Sequence, residues 1–368
     1  MLEKGKISVR QFSMMVAFFI VGSAILIIPS ILAAKAKQDA WIAALLSISL
    51  GLLIIPLYHA LGKRFPDKNF AQYCEVILGR WPGKTAFFLF LTYPLIGAAL
   101  TLRNIGDFMS TQILRETPIQ AIHILFIAVV VMGVRLGLEP LARAAELFFP
   151  WISMLSIVLI VLVSPQMKAA NMLPVLENGF MPVVKGSIPF ITFPFLGTVV
   201  FLMLYPAVNR IEKAGKAMFV GELVGGLLLI VITVLGITVI GPEQLVRSSF
   251  PSYEIAQRIS IGDFLERIEA IMAIIWVLSI FFRLSVLIYV LALGLAQVFN
   301  FREHRFLVVP VGFLIVPCSI LFVPSSTYLS NFNQTILPVY LPTFGLFLPL
   351  LLLVVAVIRK KGSRRVNG

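Results

Sequence analysis

Charged residues are scarce in this sequence. Asp, Glu, Lys and Arg together make up 13% of the 368 residues, whereas soluble domains carry about 25%. Hydrophobic residues reach 59%, and the mean hydropathy is +0.99. Such a chain cannot cover a core with a polar surface, so we expect an integral membrane protein. The apolar residues occur in blocks of helical length along the whole chain, which leaves no separate soluble domain.

The sequence also lacks the motifs that carry enzyme chemistry. It contains no GxxxxGK[ST] run for ATP phosphates, no strand-flanked GxGxxG and no GxSxG. Its three histidines are scattered, and Cys74 and Cys318 lie far apart in apolar stretches. The cysteines are either buried packing residues or a pair. We expect no enzyme activity, no bound metal and no cofactor.

Ten apolar stretches are long enough to cross a membrane. A helix needs about 20 apolar residues to span about 30 Å of hydrocarbon. The ten predicted spans, numbered 1 to 10 in chain order, are residues 11–34, 39–61, 84–112, 118–136, 146–164, 183–208, 217–240, 268–299, 306–323 and 338–358. We therefore expect an all-helical transmembrane domain over residues 1–368, ending in a basic tail at 359–368.

Basic residues are distributed unevenly between the two sides of this arrangement. Of the 30 Lys and Arg residues, 20 fall on the side that holds both termini and 8 on the other. An excess of Lys and Arg marks the cytoplasmic side, so both termini are predicted to be cytoplasmic. This placement explains the net charge of +13 without a nucleic-acid partner. We interpret the first apolar run as a retained span, because it exceeds the 7–15 apolar residues of a signal peptide.

Span 1 carries residues that weaken a helix. It reads FFIVGSAILIIPS over residues 18–30, with Gly22 and Ser23 near its middle and Pro29 further on. Main chain that is not helical at membrane depth must be buried in protein or face a water-filled cavity. An interruption near Gly22, Ser23 and Ala24 would therefore free main-chain groups to bind a ligand.

Span 6 is interrupted in a similar way. It reads GSIPFITFPFLGTVVFLMLYP over residues 186–206, where Pro189 and Pro194 each lack an amide hydrogen and Gly197 follows. Spans 1 and 6 are five apart and so enter the membrane from opposite sides. Interrupted helices at corresponding positions indicate two inverted five-helix repeats, here about 11–164 and 183–358, with a binding site between them. The alternative is that the glycine and serine allow close packing and the prolines only kink a helix.

The main-chain groups of such a site favour a particular kind of ligand. Half-helix N-termini present N–H groups to a carboxylate, and half-helix C-termini present carbonyls to an ammonium group. A small zwitterion such as an amino acid fits both ends. A neutral polar ligand such as a sugar is the alternative.

Three stretches resemble the B-subunit of spore germinant receptors, a family also called endospore germination permeases. They read LRNIGDFMSTQILRETP at 102–118, RLGLEPLARAAELFFP at 135–150 and FPFLGTVVFLMLYP at 193–206. The resemblance covers essentially the whole chain. It implies the fold of the amino acid–polyamine–organocation transporter superfamily, with two inverted five-helix repeats. It also implies a nutrient receptor in the spore inner membrane, with a larger A-subunit and a lipoprotein C-subunit as partners.

In this family the ligand lies between spans 1, 3, 6 and 8, which implies a set of binding residues. They are Gly22, Ser23 and Ala24 on span 1, Ala98 and Ala99 on span 3, Phe195, Leu196 and Gly197 on span 6, and Ser285 and Tyr289 on span 8. Ser285 and Tyr289 are four residues apart and share a helical face, so both hydroxyls can reach a polar ligand.

Charged residues inside spans indicate function by default. Arg283, near the middle of span 8, either contacts a ligand carboxylate, gates a cavity, holds carbonyls of a broken neighbouring helix or contacts another subunit. Arg103 and Asp107 are spaced i, i+4 near the outer end of span 3, which predicts a local ion pair.

Other polar and small residues in the spans have simpler interpretations. Glu146 and Glu222 lie near cytoplasmic span ends, where we expect interfacial solvation. Gly221 and Gly225 form a GxxxG pair that predicts close helix packing. We expect no carboxylate near the midplane, which favours ligand sensing over proton-driven uptake and leaves sodium coupling open.

These observations favour a nutrient-sensing receptor subunit of the spore inner membrane that binds a small amino acid at the interrupted helices. Binding would shift the helices, and partner subunits would respond to that shift. The alternative is a secondary amino-acid transporter of the bacterial plasma membrane.

Overall fold

The computed structural model of the protein describes residues 5–258 and 268–362. Within these ranges the chain is helical, and the β-type pairing is an isolated bridge between Ile7 and Val208. Eight helices of the described part are long and apolar enough to cross a membrane, and two shorter apolar helices accompany them. Eight of these ten segments match predicted spans 3 to 10, whereas Val9–Gly22 covers only the first half of span 1 and Ile28–Arg64 joins its second half to span 2. The number of actual crossings stays a prediction. Of the basic tail, residues 363–368 lie outside the described ranges.

The spans of the first half are built from seven helices. They are Val9–Ala24 and Ile28–Ala36 in span 1, Ala40–Leu52 and Ile55–Arg64 in span 2, Arg80–Phe108 in span 3, Ile119–Leu136 in span 4, and Leu138–Val163 in span 5. A short helix, Phe70–Leu78, lies between spans 2 and 3, and a turn of π-helix, Met109–Ile113, extends span 3.

The spans of the second half contain more irregular turns. They are Met181–Phe190, Ile191–Phe195 and Leu196–Met203 in span 6, Ala214–Leu235 and Gly236–Ile240 in span 7, Glu269–Val298 in span 8, Val308–Leu321 in span 9, and Leu337–Pro342, Thr343–Phe347 and Leu348–Ile358 in span 10. Three short helices connect these spans: Pro242–Arg247, Pro251–Gln257 and Ser326–Thr335.

Span 5 begins eight residues earlier than predicted, at Leu138 rather than at 146. The early turns are polar, which hid them from a search for apolar stretches. They are nevertheless helical, because Gly137 turns the chain at φ 105° and Arg143 pairs with Glu139 at 2.6 Å across one turn.

The first half of span 1 lies at the centre of the bundle and packs against spans 7 and 8. Gly221 and Gly225 make the contact with span 7 possible. A β-carbon on Gly225 would lie 2.8 Å from Cβ of Ile20, and one on Gly221 would overlap the carbonyl oxygen of Ser13. The predicted close packing of this GxxxG pair is therefore confirmed.

Both predicted interruptions are present. In span 1 the helix Val9–Ala24 ends, and a new helix begins at Ile28. Pro29 causes this break, because it has no N–H to give to the carbonyl of Ile25. The hydroxyl of Ser252 donates to that carbonyl instead. The break therefore lies at residues 25–27, just after the predicted Gly22–Ala24.

Span 6 changes its winding twice. The α-helix ends at Phe190, a π-helical turn covers Ile191–Phe195, and a 3-10 helix of eight residues covers Leu196–Met203. Runs of 3-10 helix longer than about four residues are uncommon, and in mid-helix they often mark a functional hinge. Pro194 removes an α-helical hydrogen bond within this segment.

Candidate functional site

Arg283 lies where spans 1, 3, 6 and 8 meet. Its guanidinium group donates to the carbonyl of Phe19 at 3.1 Å and to the hydroxyl of Thr101 at 3.3 Å. The same group stacks over the Phe19 ring at 4.4 Å and the Phe193 ring at 5.1 Å from their centroids. The side chain is 1% exposed. One residue thus joins the four spans between which the family resemblance places the ligand.

The charge of Arg283 has no acidic neighbour in the described part of the chain. The ion pairs found there are Arg10–Glu146, Arg103–Asp107 and Arg143–Glu139. Burying an unpaired cation is costly, and the carbonyl, hydroxyl and ring contacts offset only part of that cost. An anionic group brought next to Arg283 would therefore be stabilised.

The contact of Arg283 with span 1 is not the one expected for a broken helix. Phe19 lies five residues before Ala24, so its carbonyl is not among the last four of the helix. Arg283 therefore does not bind a carbonyl freed by the break in span 1.

A cavity of about 230 Å³ opens at the break in span 1. It lies between span 1, span 3, the segment after span 7 and the helix before span 10. Its lining residues are Ile27, Ser30, Ile31, Ala34, Asn104, Asp107, Val246, Arg247, Ser248, Ser249, Phe250, Leu329, Asn333 and Gln334. The lining combines apolar groups with amide, hydroxyl, carboxylate and guanidinium groups, as in small-molecule sites.

Span 3 connects this cavity to Arg283. Thr101, Asn104 and Asp107 are three residues apart and lie on one helical face. Thr101 contacts Arg283, while Asn104 and Asp107 line the cavity. Arg103 donates to Asp107 at 2.9 Å, which confirms the predicted local ion pair. Sequence reasoning missed Thr101 and Asn104, although their three-residue spacing toward Asp107 was visible.

Glu222 does not lie at a solvated interface, so that prediction was wrong. The side chain is 1% exposed, and its Oε1 lies 2.6 Å from the hydroxyl of Thr198. The Thr198 hydroxyl is also 2.7 Å from the carbonyl of Phe195 in the interrupted span 6. Because span 7 packs closely on span 1, the side chain of Glu222 is directed into the interior of the bundle. A buried carboxyl group therefore stands beside the irregular helix of span 6.

The predicted residues of span 1 are packed rather than open. Gly22 lies against span 8, where a β-carbon would overlap the carbonyl of Ser279. Ala24 is fully buried. The side chain of Ser23 lies outside what the structure describes.

The predicted residues of span 6 contact spans 2, 3 and 10. Tyr93 of span 3 donates to the carbonyl of Gly197 at 3.1 Å, and Tyr58 of span 2 lies 3.4 Å from the carbonyl of Leu196. Phe195 packs against Gly51, where a β-carbon would lie 2.6 Å from its Cγ. These residues hold the irregular helix in place.

The predicted residues of spans 3 and 8 lie at other depths in the bundle than the break in span 1. Spans 1 and 8 run in opposite directions, with Gly22 beside Ser279 and Phe19 beside Arg283. This register places Ser285 and Tyr289 beyond Arg283, away from the break.

Tyr289 instead lines a cavity of about 30 Å³ with Lys6 and packs against His304, with ring centroids 5.3 Å apart. Ala98 and Ala99 are fully buried one turn before Thr101. The ligand-binding roles of these four residues stay predictions.

A family model described as "Spore germination protein" matches residues 6–327. The chain is 30% identical to spore germination protein KB of Bacillus subtilis (strain 168), over 100% of this chain and 99% of that protein. It is 25% identical to spore germination protein YndE of the same strain, over 98% of each.

Solved structures of transporters share the fold. One is a nucleobase-cation-symport-1 family transporter in a closed conformation, with a TM-score of 0.65 and 13% identity, covering 89% of this chain and 75% of that one. Another is a Na⁺-coupled sialic acid symporter, with a TM-score of 0.65 and 10% identity, covering 92% and 78%. The predicted all-helical fold of inverted repeats with interrupted helices 1 and 6 is confirmed.

Proposed function

The chain belongs to the spore germination protein family, and from this premise we propose that it is a nutrient-sensing receptor subunit of the spore inner membrane. Its ligand is a small nutrient, with an amino acid as the favoured class. The ligand binds without chemical change, and binding alters the interrupted spans.

The cavity at the break in span 1 is the single observation that carries this proposal. Its volume of about 230 Å³ suits a small metabolite, and Asn104 and Asp107 offer it an amide and a carboxylate. A ligand ammonium group would be drawn to Asp107. A ligand carboxylate would be attracted by the positive field of Arg283, beyond Thr101 on the same face of span 3.

Signalling requires that a ligand favour one arrangement of the helices over another. The cavity is lined by Ile27 and Ser30 of the second half of span 1, and the carbonyl of Ile25 is bound by Ser252. A ligand here contacts a segment already separated from the rest of its helix. We propose that an A-subunit and a lipoprotein C-subunit respond to the movement of this segment.

A secondary transporter of the plasma membrane is the second candidate. Similarity in fold to two transporters supports it, as does the buried carboxyl group of Glu222, a group that proton-coupled transporters use. A lone chain that moves labelled amino acid across vesicles would favour this candidate. A receptor subunit binds the nutrient and shows little flux.

Thermal unfolding of the purified chain with a panel of amino acids tests the binding site. We expect one or more amino acids to raise the Tm, because a ligand that binds only the folded state stabilises it. Asn104→Leu keeps the branching and the number of side-chain heavy atoms but removes the amide, so it should abolish the rise. Gln112→Leu, on the π-helical extension of span 3 and outside the cavity, is the matched control and should retain it. If the Tm of Asn104→Leu rose as much as that of the parent protein, this cavity would be excluded as the binding site.

A further inference from the structure

A groove of about 660 Å³ lies on the N-terminal side of the bundle, between spans 1, 5 and 7. It is remote from the cavity at the break in span 1. Its floor is formed by membrane-spanning helices and includes Met14, Ala17, Phe149, Val220 and Val224. Its mouth carries four basic residues, which are Arg10, Arg210, Lys213 and Lys216.

The charges at the mouth are largely unneutralised. Arg10 lies 3.7 Å from Glu146, and both side chains are substantially exposed. Within the described ranges, Arg210, Lys213 and Lys216 form no ion pair. Three exposed cations thus surround the entrance to an apolar groove, beside the start of span 7.

The apolar floor continues away from the mouth along span 7. Val220 and Val224 are each 41% exposed, and Leu227 is 49% exposed. Their spacing of four and three residues places them on one helical face, which runs outward from Lys213 and Lys216. This surface is long and apolar enough to bind an acyl chain whose charged headgroup lies at the mouth of the groove.

We infer that this groove binds an anionic phospholipid. The phosphate group lies among Arg210, Lys213 and Lys216, and an acyl chain lies over Val220 and Val224. Basic pockets between transmembrane helices recognise such headgroups by charge. The groove borders the first half of span 1 and the loop that follows span 6, so a bound lipid contacts the ends of both interrupted spans.

Lipid titration of the purified full-length chain tests this inference. Native mass spectrometry should show a phosphatidylglycerol molecule retained where phosphatidylcholine is lost. The triple variant Arg210→Gln, Lys213→Gln, Lys216→Gln should bind phosphatidylglycerol on the order of 100-fold more weakly, because each basic residue contributes about fivefold. Inorganic phosphate at the same concentration should not displace the lipid, since it lacks an acyl chain.

Two further variants separate this groove from a general effect of charge. The control Lys63→Gln, Arg80→Gln, Arg302→Gln removes the same charge from exposed positions on the same side and should leave binding unchanged. Val224→Trp fills the floor without altering charge and should weaken binding. The inference would be overturned if phosphatidylcholine were retained as well as phosphatidylglycerol. It would also be overturned if the control variant lost as much lipid binding as the triple variant, or if a partner protein and not lipid protected Lys213 and Lys216 from chemical labelling.

Discussion

At the scale of single residues, the main question is the role of Arg283, because its charge is buried without an acidic partner in the described part of the chain. If the residue is structural, its contacts with Phe19 and Thr101 stabilise the fold. If the residue binds the ligand instead, burying its unpaired charge destabilises the fold. The two roles predict opposite effects of removing the charge.

Replacing Arg283 with Met separates these roles. Replacing a buried ion pair by apolar side chains of similar volume is often neutral or stabilising by about 1–4 kcal/mol, because the desolvation cost of the charges is removed. The same cost is removed when Met replaces the unpaired Arg283. We therefore expect Arg283→Met to keep or raise the Tm without ligand and to lose the rise caused by an amino acid. A lower Tm with an undiminished rise would show that the residue is purely structural. Arg283→Lys, which keeps the charge, is the matched control.

Thr198 links Glu222 to the interrupted span 6. A hydroxyl has one proton, so it cannot donate to both Glu222 and the carbonyl of Phe195. Both contacts are hydrogen bonds if Glu222 carries a proton and donates to Thr198. Thr198→Val removes both and leaves the buried Glu222 carboxyl group and the Phe195 carbonyl without this partner, which costs about 1–3 kcal/mol. Thermal unfolding should show this loss in Thr198→Val and a much smaller one in Thr198→Ser. Equal stability of the two variants would contradict the link.

At the scale of elements, the irregular helix of span 6 is held by its neighbours. Tyr93 donates to the carbonyl of Gly197, and a β-carbon on Gly197 would lie 2.5 Å from the Tyr93 oxygen. Only glycine fits beneath this hydroxyl without a shift of the Tyr93 side chain or of the main chain.

A double-mutant cycle tests this contact between spans 3 and 6. Gly197→Ala should destabilise the fold by about 1–3 kcal/mol through overpacking. Tyr93→Phe removes the oxygen that the new methyl group meets, so the double variant should recover part of the loss. Unfolding midpoints of the four proteins measure the coupling energy. Strict additivity would mean that the clash is relieved elsewhere.

Both interruptions could be predicted from the sequence, because proline and glycine act locally through the main chain. Pro29 and Pro194 each remove a main-chain hydrogen bond whatever surrounds them. The depth of the partner residues could not be predicted, because the register between antiparallel spans depends on packing. Gly22 meets Ser279, so the aligned part of span 8 is about two turns from Ser285. Glu222 was misplaced for the same reason, since its direction depends on how span 7 packs on span 1.

At the scale of the whole molecule, the two sides of the bundle differ. The cavity of about 230 Å³ opens on the side opposite the N-terminus. On the N-terminal side, the segment before span 1 is bonded to the end of span 6. The amide of Ile7 donates to the carbonyl of Ala207 at 2.8 Å, and the amide of Asn209 donates to the carbonyl of Ile7 at 3.0 Å. This pairing, which we call the N-terminal latch, joins the two interrupted spans.

Cys74 can report whether the latch opens. Its thiol is fully buried in the helix Phe70–Leu78, whose N-cap residue Asn69 lines the 30 Å³ cavity together with Lys6 and Ala207. Burial, followed by the charge of Glu75, raises the pKa of the Cys74 thiol. Because the thiolate is the reactive form, maleimide should label native Cys74 slowly at pH 7 to 8. In a Cys318→Ser background, denatured protein should react on the order of tenfold faster or more.

Opening the latch should expose this thiol. Ile7→Pro removes the amide that binds Ala207, so we expect Cys74 in that variant to be labelled several-fold faster than in the parent. Ile7→Val keeps both main-chain bonds and serves as the control, with an unchanged rate. If an amino acid that raises the Tm also changes the rate in the parent, the nutrient cavity and the latch are coupled through spans 1 and 6. Equal rates in Ile7→Pro and Ile7→Val would show that the latch does not keep the N-terminal side closed.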